Sequence, residues 1–120
     1  MKINDLHQTA KRYLLYLQLE RRLEKNTINS RWYDIEKYIN YLKENKIHNY
    51  NDIMTSHINS FISSLKFYET YNSKGKYTNS TINRYISSIK NFHYYLLEND
   101  FVNEDVSSKI YRPKNKKKIP

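Results

Sequence analysis

Cysteine is absent from the 120 residues, so neither a disulfide framework nor a thiolate metal site is available. Glycine occurs once, at Gly75, and proline twice, at Pro113 and Pro120. With one glycine there is no glycine-flanked nucleophilic serine and no glycine-rich phosphate loop. The four histidines, His7, His48, His57 and His93, are widely spaced and lack a metal-ligand pairing; none is followed three residues later by arginine. No apolar run approaches the ~20 residues of a membrane span, and no signal-like apolar stretch follows Met1. The expectation is a soluble cytosolic chain, without cofactor or metal, and with no catalytic constellation of its own.

What the chain does have is positive charge, placed unevenly. Lys and Arg number 21 against 12 Asp and Glu, a net +9. Residues 109–120 carry Lys109, Arg112, Lys114, Lys116, Lys117 and Lys118 with no acid, which is most of that excess. A mildly basic body with a strongly basic tail suits a polyanion. The lysines read equally as a solubilising tail or as a strap along phosphates, where each neutralised phosphate releases a counterion.

The scarcity of breakers lets helical periodicity dominate. Leu6, Ala10, Tyr13, Leu14 and Leu17 mark a first helix over about 3–23. Asn26 or Thr27 is placed to cap a second, over about 27–45, with a seam of Ile28, Trp32, Ile35, Ile39 and Leu42. The second helix's acid Asp34, one turn from Arg31 and Tyr38, reads as a helix-surface partner. After a loop at 46–52, a shorter helix from Thr55 buries Ile58, Phe61, Ile62 and Leu65. A polar connection, 69–79, precedes the fourth helix, 80–100. Beyond it, Val106 and Ile110 suit a last helical turn before an extended basic linker.

The fourth helix carries the most informative pattern. Ile82, Tyr85, Ile86, Ile89, Phe92, Leu96 and Leu97 form a core face, which also takes in His93 as a core histidine. Opposite lie Ser80, Thr81, Arg84, Ser87, Ser88 and Asn91, with short hydrogen-bonding side chains and no acid. Such a face fits a DNA groove, and a solvated surface looks similar. Tyr13, Tyr85 and Tyr95 fit helix packing better than catalysis.

The order of these segments resembles the N-terminal core-binding domain of tyrosine recombinases, the phage-integrase and Xer-like enzymes. The resemblance rests on Asn26–Leu42, on Ser80–Asp100, and on Asn103 followed by Arg112-Pro113-Lys114. Arg31 stands where the family usually has an aromatic, and Glu104 where it has proline. The resemblance implies an all-α, four-helix SAM-like bundle over 1–112 and a basic linker, 113–120, towards a catalytic domain. It implies that helices two and four cross the major groove of a recombination core site in double-stranded DNA. The implied contacts are Lys25, Asn26, Thr27, Ser30, Tyr33 and Lys37 on the second helix. On the fourth they are Ser80, Thr81, Arg84, Ser87, Ser88 and Asn91, joined by Lys114, Lys116, Lys117 and Lys118 from the tail. Arg84 would pair with a guanine or clamp a phosphate. The nucleophilic tyrosine and its activators would lie beyond Pro120, so this chain is expected to bind DNA, as a monomer in isolation, and to cut nothing. Further protomers would join on DNA at the nucleoid. The alternative is a helical protein-interaction module whose basic tail is incidental.

Overall fold

Asp5 starts the first helix, its carboxylate accepting the backbone N–H of Gln8 at 3.3 Å. A computed structural model describes residues 5–72 and 79–110, with side chains for all of these except 67–72. Lys114, Lys116, Lys117, Lys118 and the expected 113–120 linker, like Gly75, lie outside the described residues. The elements are α1 (Leu6–Leu19), α2 (Lys25–Glu44), a single 3-10 turn (Tyr50–Asp52), α3 (Thr55–Asn72) and α4 (Asn79–Glu98). Among the described residues there is no strand, and the expected all-α four-helix bundle is what forms. Helix α2 is the hub: α1 and α4 both pack along it, and α3 closes against α4 and α2.

Aromatic rings fill the centre of a largely Ile and Leu core, tyrosine being the commonest aromatic side chain here. Tyr13, Tyr38, Tyr85, Phe61 and Phe92 are fully buried, each ring contributing about 2–3 kcal/mol by leaving water. Their centroids sit at T-shaped and tilted spacings, 5.1 Å for Tyr13–Phe92 and 5.5 Å for Tyr38–Phe61. A buried tyrosine also needs a partner for its hydroxyl. Tyr50 donates to the Leu6 carbonyl at 2.6 Å, and Tyr38 meets His93 Nε2 at 2.7 Å. His93 is thus a core histidine, as its position on the apolar face of α4 suggested. Burial holds its pKa down at about 4, so the ring is neutral at pH 7.

Four local expectations are corrected. The cap of α2 is Glu24, which has extended backbone and makes no side-chain capping bond, so Asn26 and Thr27 fall inside the first turn. The cause is the tight exit from α1. Arg22 takes a left-handed φ of 50°, and Leu23 returns its N–H to the Leu17 carbonyl, so the next helix begins at once. The third helix runs on to Asn72, through the start of the stretch read as a connection. The fourth begins at Asn79 and ends at Glu98, two residues short of the expected Asp100. Finally, residues 101–110 form turns, with Asp105 accepting the N–H and hydroxyl of Ser107 and Thr55 donating to the Val106 carbonyl. Val102 and Ile110 are nonetheless buried, pinning this segment to the core.

Helices α2 and α4 end alike. In each, the residue after the last turn adopts a left-handed φ, 63° at Lys46 and 61° at Asp100. The following N–H returns to the helix, from Ile47 to Leu42 and from Phe101 to Leu96, both at 2.9 Å. The bonds of shorter span, Lys46 to Lys43 and Asp100 to Leu97, complete a Schellman pair at both ends. Glycine normally takes that left-handed position, and this chain has none to spare. Asn45 and Asn99 add side-chain bonds to the carbonyls of Tyr41 and Tyr95.

Candidate nucleic-acid interface

Where α2 and α4 lie side by side, their polar faces meet along an open groove of about 300 Å³. Helix α2 lines it with Asn26, Thr27, Ser30, Arg31 and Asp34, and α4 with Arg84 and Ser88. Helical spacing explains the set. Thr27, Ser30, Arg31 and Asp34 recur at three- and four-residue steps, as do Arg84 and Ser88.

Asp34 organises the groove. Its side chain is almost wholly buried, 1% exposed, although an isolated carboxylate in that position would be costly. Arg84 answers it with two bonds, Nε to Oδ2 at 3.1 Å and Nη2 to Oδ1 at 2.5 Å. Ser88, one turn along α4, donates a third to Oδ2 at 2.8 Å. The carboxylate therefore bridges α2 to α4. The hydrogen bonds from Arg84 to Asp34 hold the guanidinium pKa above its ordinary value. Its carbon sits 5.2 Å from the Tyr85 ring centroid, and the side chain remains 47% exposed. Two of its five N–H donors are spent on Asp34; the others remain for a partner in the groove.

This corrects two expectations. Asp34 is not a surface acid serving its own helix; its partners lie on α4. Ser88 is not on an open face: it is 2% exposed, and its hydroxyl is committed to Asp34. Both follow from α2 and α4 packing closely enough for their polar edges to interlock.

The remaining named residues distribute as follows. Ser80, Arg84 and Asn91 are exposed on α4, while Thr81 and Ser87 are half-buried. On α2, Lys25, Asn26, Ser30 and Tyr33 are exposed, and Thr27 and Lys37 half-buried. Tyr33 and Lys37 stand beside the groove rather than lining it. Two groove residues went unselected in the sequence, Arg31 and Asp34. The signal was available, since both share the stripe that begins at Thr27. Among the described residues no cluster of His, Asp or Glu is arranged to hold a metal ion, and no helix is long and apolar enough to cross a membrane.

Residues 10–100 match the family model of the phage integrase N-terminal SAM-like domain. Among solved structures, the chain resembles the crystal structure of the N-terminal domain of a phage integrase/site-specific recombinase from Haloarcula marismortui. That match has a TM-score of 0.69 at 22% identity, spanning 94% of this chain and 100% of the other, a likeness of fold. No curated protein matches. With the family model covering most of its length, this chain belongs to the phage-integrase N-terminal SAM-like domain family.

Proposed function

We propose that this domain binds double-stranded DNA as the core-binding half of a tyrosine recombinase, with α2 and α4 spanning a major groove. One observation carries the reading: Arg84 is fixed by a buried carboxylate on one edge and open to the groove on the other. A locked guanidinium loses little side-chain entropy when it meets an oxygen pair, whether on guanine or on phosphate. Asn26, Ser30 and Arg31 extend the same line of donors along α2. The uncapped first turn of α2 adds unpaired backbone N–H groups beside Lys25, a setting that favours phosphate. The assigned contacts are Lys25, Asn26, Thr27, Ser30, Tyr33 and Lys37, then Ser80, Thr81, Arg84, Ser87 and Asn91. Ser88 acts through Asp34, and the lysines of 114–118 follow the backbone.

The test is titration of fluorescent duplex DNA from ~50 to ~200 mM salt, where several phosphate contacts make binding fall steeply. Absence of binding at low salt would sink the proposal. Arg84→Lys keeps the charge and loses the fork. If Arg84 reads a base, that change should relax sequence preference, with a loss of ~1–3 kcal/mol at one position. A nicking assay on the chain should stay blank, a reading supported by the match to an integrase's N-terminal domain.

A second reading concerns protein partners. Leu15 and Leu19, 52% and 63% exposed, lie one turn apart on the outer side of α1. They suit contact with another recombinase protomer. Self-association that Leu15→Ser abolishes, with DNA binding unchanged, would support it.

A further inference from the structure

We infer that the cleft between the C-terminal halves of α1 and α4 seats one backbone nucleotide of the duplex, beyond the groove itself. The inference rests on the DNA-binding reading above and extends the contact surface onto α1. The cleft, about 390 Å³, is lined by Tyr13, Tyr16 and Arg21 from α1's side and by Asn91, Tyr94 and Tyr95 from α4. Asn91 lies on the same face of α4 as Arg84, so the cleft continues the groove's line.

Three features fit it to a sugar-phosphate unit. The first is unanswered hydrogen bonding. Tyr13 is 1% exposed, and its hydroxyl makes no bond of full hydrogen-bond geometry, although Arg31 approaches it. The second is charge. Burial raises the Tyr13 pKa, and the cations of Arg31 and Arg21 pull it back; Arg12 acts likewise on Tyr95. Arg21 lines the cleft itself, while Arg31 and Arg12 are close enough to act on its tyrosines. The acid in the lining, Glu98, is exposed and sits at the last residue of α4. The third is shape. Tyr13, Tyr16 and Tyr95 pack together at centroid spacings of 5.1 to 6.3 Å, and Tyr94 stands 60% exposed at the rim. Ring faces of this kind suit a deoxyribose, and arginine and hydroxyl donors suit its phosphate.

Helix geometry explains why a backbone nucleotide falls there. From Arg84 to Tyr95, α4 advances about 16 Å at 1.5 Å per residue. The major groove is ~12 Å wide. A helix crossing with Arg84 inside the groove therefore carries its C-terminal half over the far strand's backbone. Arg21 meets the phosphate at the rim. The Tyr13 hydroxyl, at the floor, gains its acceptor when the side chains above it part.

The experiment is a salt titration of duplex DNA with wild type, Arg21→Ala and Tyr13→Phe. On a long duplex, Arg21→Ala should lower the salt slope by ~0.9, one phosphate, without changing the thermal melt. Tyr13→Phe should weaken binding ~5-fold, uniformly across sequences. On a duplex trimmed to end beneath the groove, both variants should match wild type. Wild-type binding that neither variant alters on the long duplex would overturn the inference and leave the DNA reading standing. An equal loss on the short duplex would also overturn it, as general electrostatics. Failure of wild type to bind any duplex would instead remove the reading beneath it.

Discussion

Two polar bridges join α2 to α4, one turn apart on α2, and they solve the same problem differently. At Asp34 the bridge is charged: a buried carboxylate, a half-exposed guanidinium and a serine hydroxyl. At Tyr38 it is neutral: a phenol and an imidazole, both enclosed. The difference lies in access to water. Arg84 keeps part of its surface solvated, so the ion pair does not bear two full desolvation penalties. Tyr38 and His93 have no such outlet. Burial raises the pKa of the one and lowers that of the other, keeping both uncharged. Charge between these helices sits at the lip of the groove, where the guanidinium keeps contact with water.

The charged bridge should be the more sensitive to mutation. Arg84→Ala leaves Asp34 buried with Ser88 alone, and should cost about 3 kcal/mol in urea unfolding, the lower end for a buried pair because Arg84 is half-solvated. A loss below ~1 kcal/mol would mean that water replaces the arginine and the bridge is a surface pair. The same result explains why Arg84→Lys is the better probe of DNA contact.

The neutral bridge is tested by acid. Folded His93 stays unprotonated down to about pH 4, while the unfolded chain takes up that proton near 6.5. The unfolded state therefore binds more protons in this window, and stability falls as pH drops from 6.5 towards 4, levelling off below. The contribution lost is about 3 kcal/mol, from about 1.36 kcal/mol per pKa unit. His93→Gln should flatten that part of the pH profile measured by denaturant melts; an unchanged slope would assign the acid sensitivity elsewhere.

The smallest effect concerns the shared helix ends. Lys46→Gly and Asp100→Gly should each stabilise by about 1 kcal/mol, since glycine occupies the left-handed position without a Cβ clash. A rise in Tm of about 4 °C would register it. If only one end responds, the likeness of the two termini is geometric but not energetic.

Much of this was legible from spacing. The seam Ile35, Ile39, Leu42 and the α4 face Ile82 to Leu96 are buried where periodicity put them. The fold class followed, because few glycines and prolines left little besides helices. Asp34 was not legible. Its partner is fifty residues away, and an acid one turn from an arginine looks like an ordinary surface neighbour. Ser88 sits at the edge of a face, where a small change in packing decides between open and enclosed. The cap of α2 was misplaced because Asn26 and Thr27 have capping chemistry, whereas the position was decided by how early α1 turned back. Nor do Lys46 and Asp100 carry any mark of a left-handed residue.

The matched termini of α2 and α4 have a metrological consequence. Each Schellman turn seats a hydrophobic residue, Ile47 or Phe101, and so fixes the rotational phase of its helix from the C-terminal end. Everything upstream is then dialled by residue count. One residue inserted between Arg84 and Leu96 would swing the guanidinium by about 100° and advance it about 1.5 Å, out of register with Asp34. The two helices act as rulers with a common zero, and the alignment of Asp34 with Arg84 is read from both.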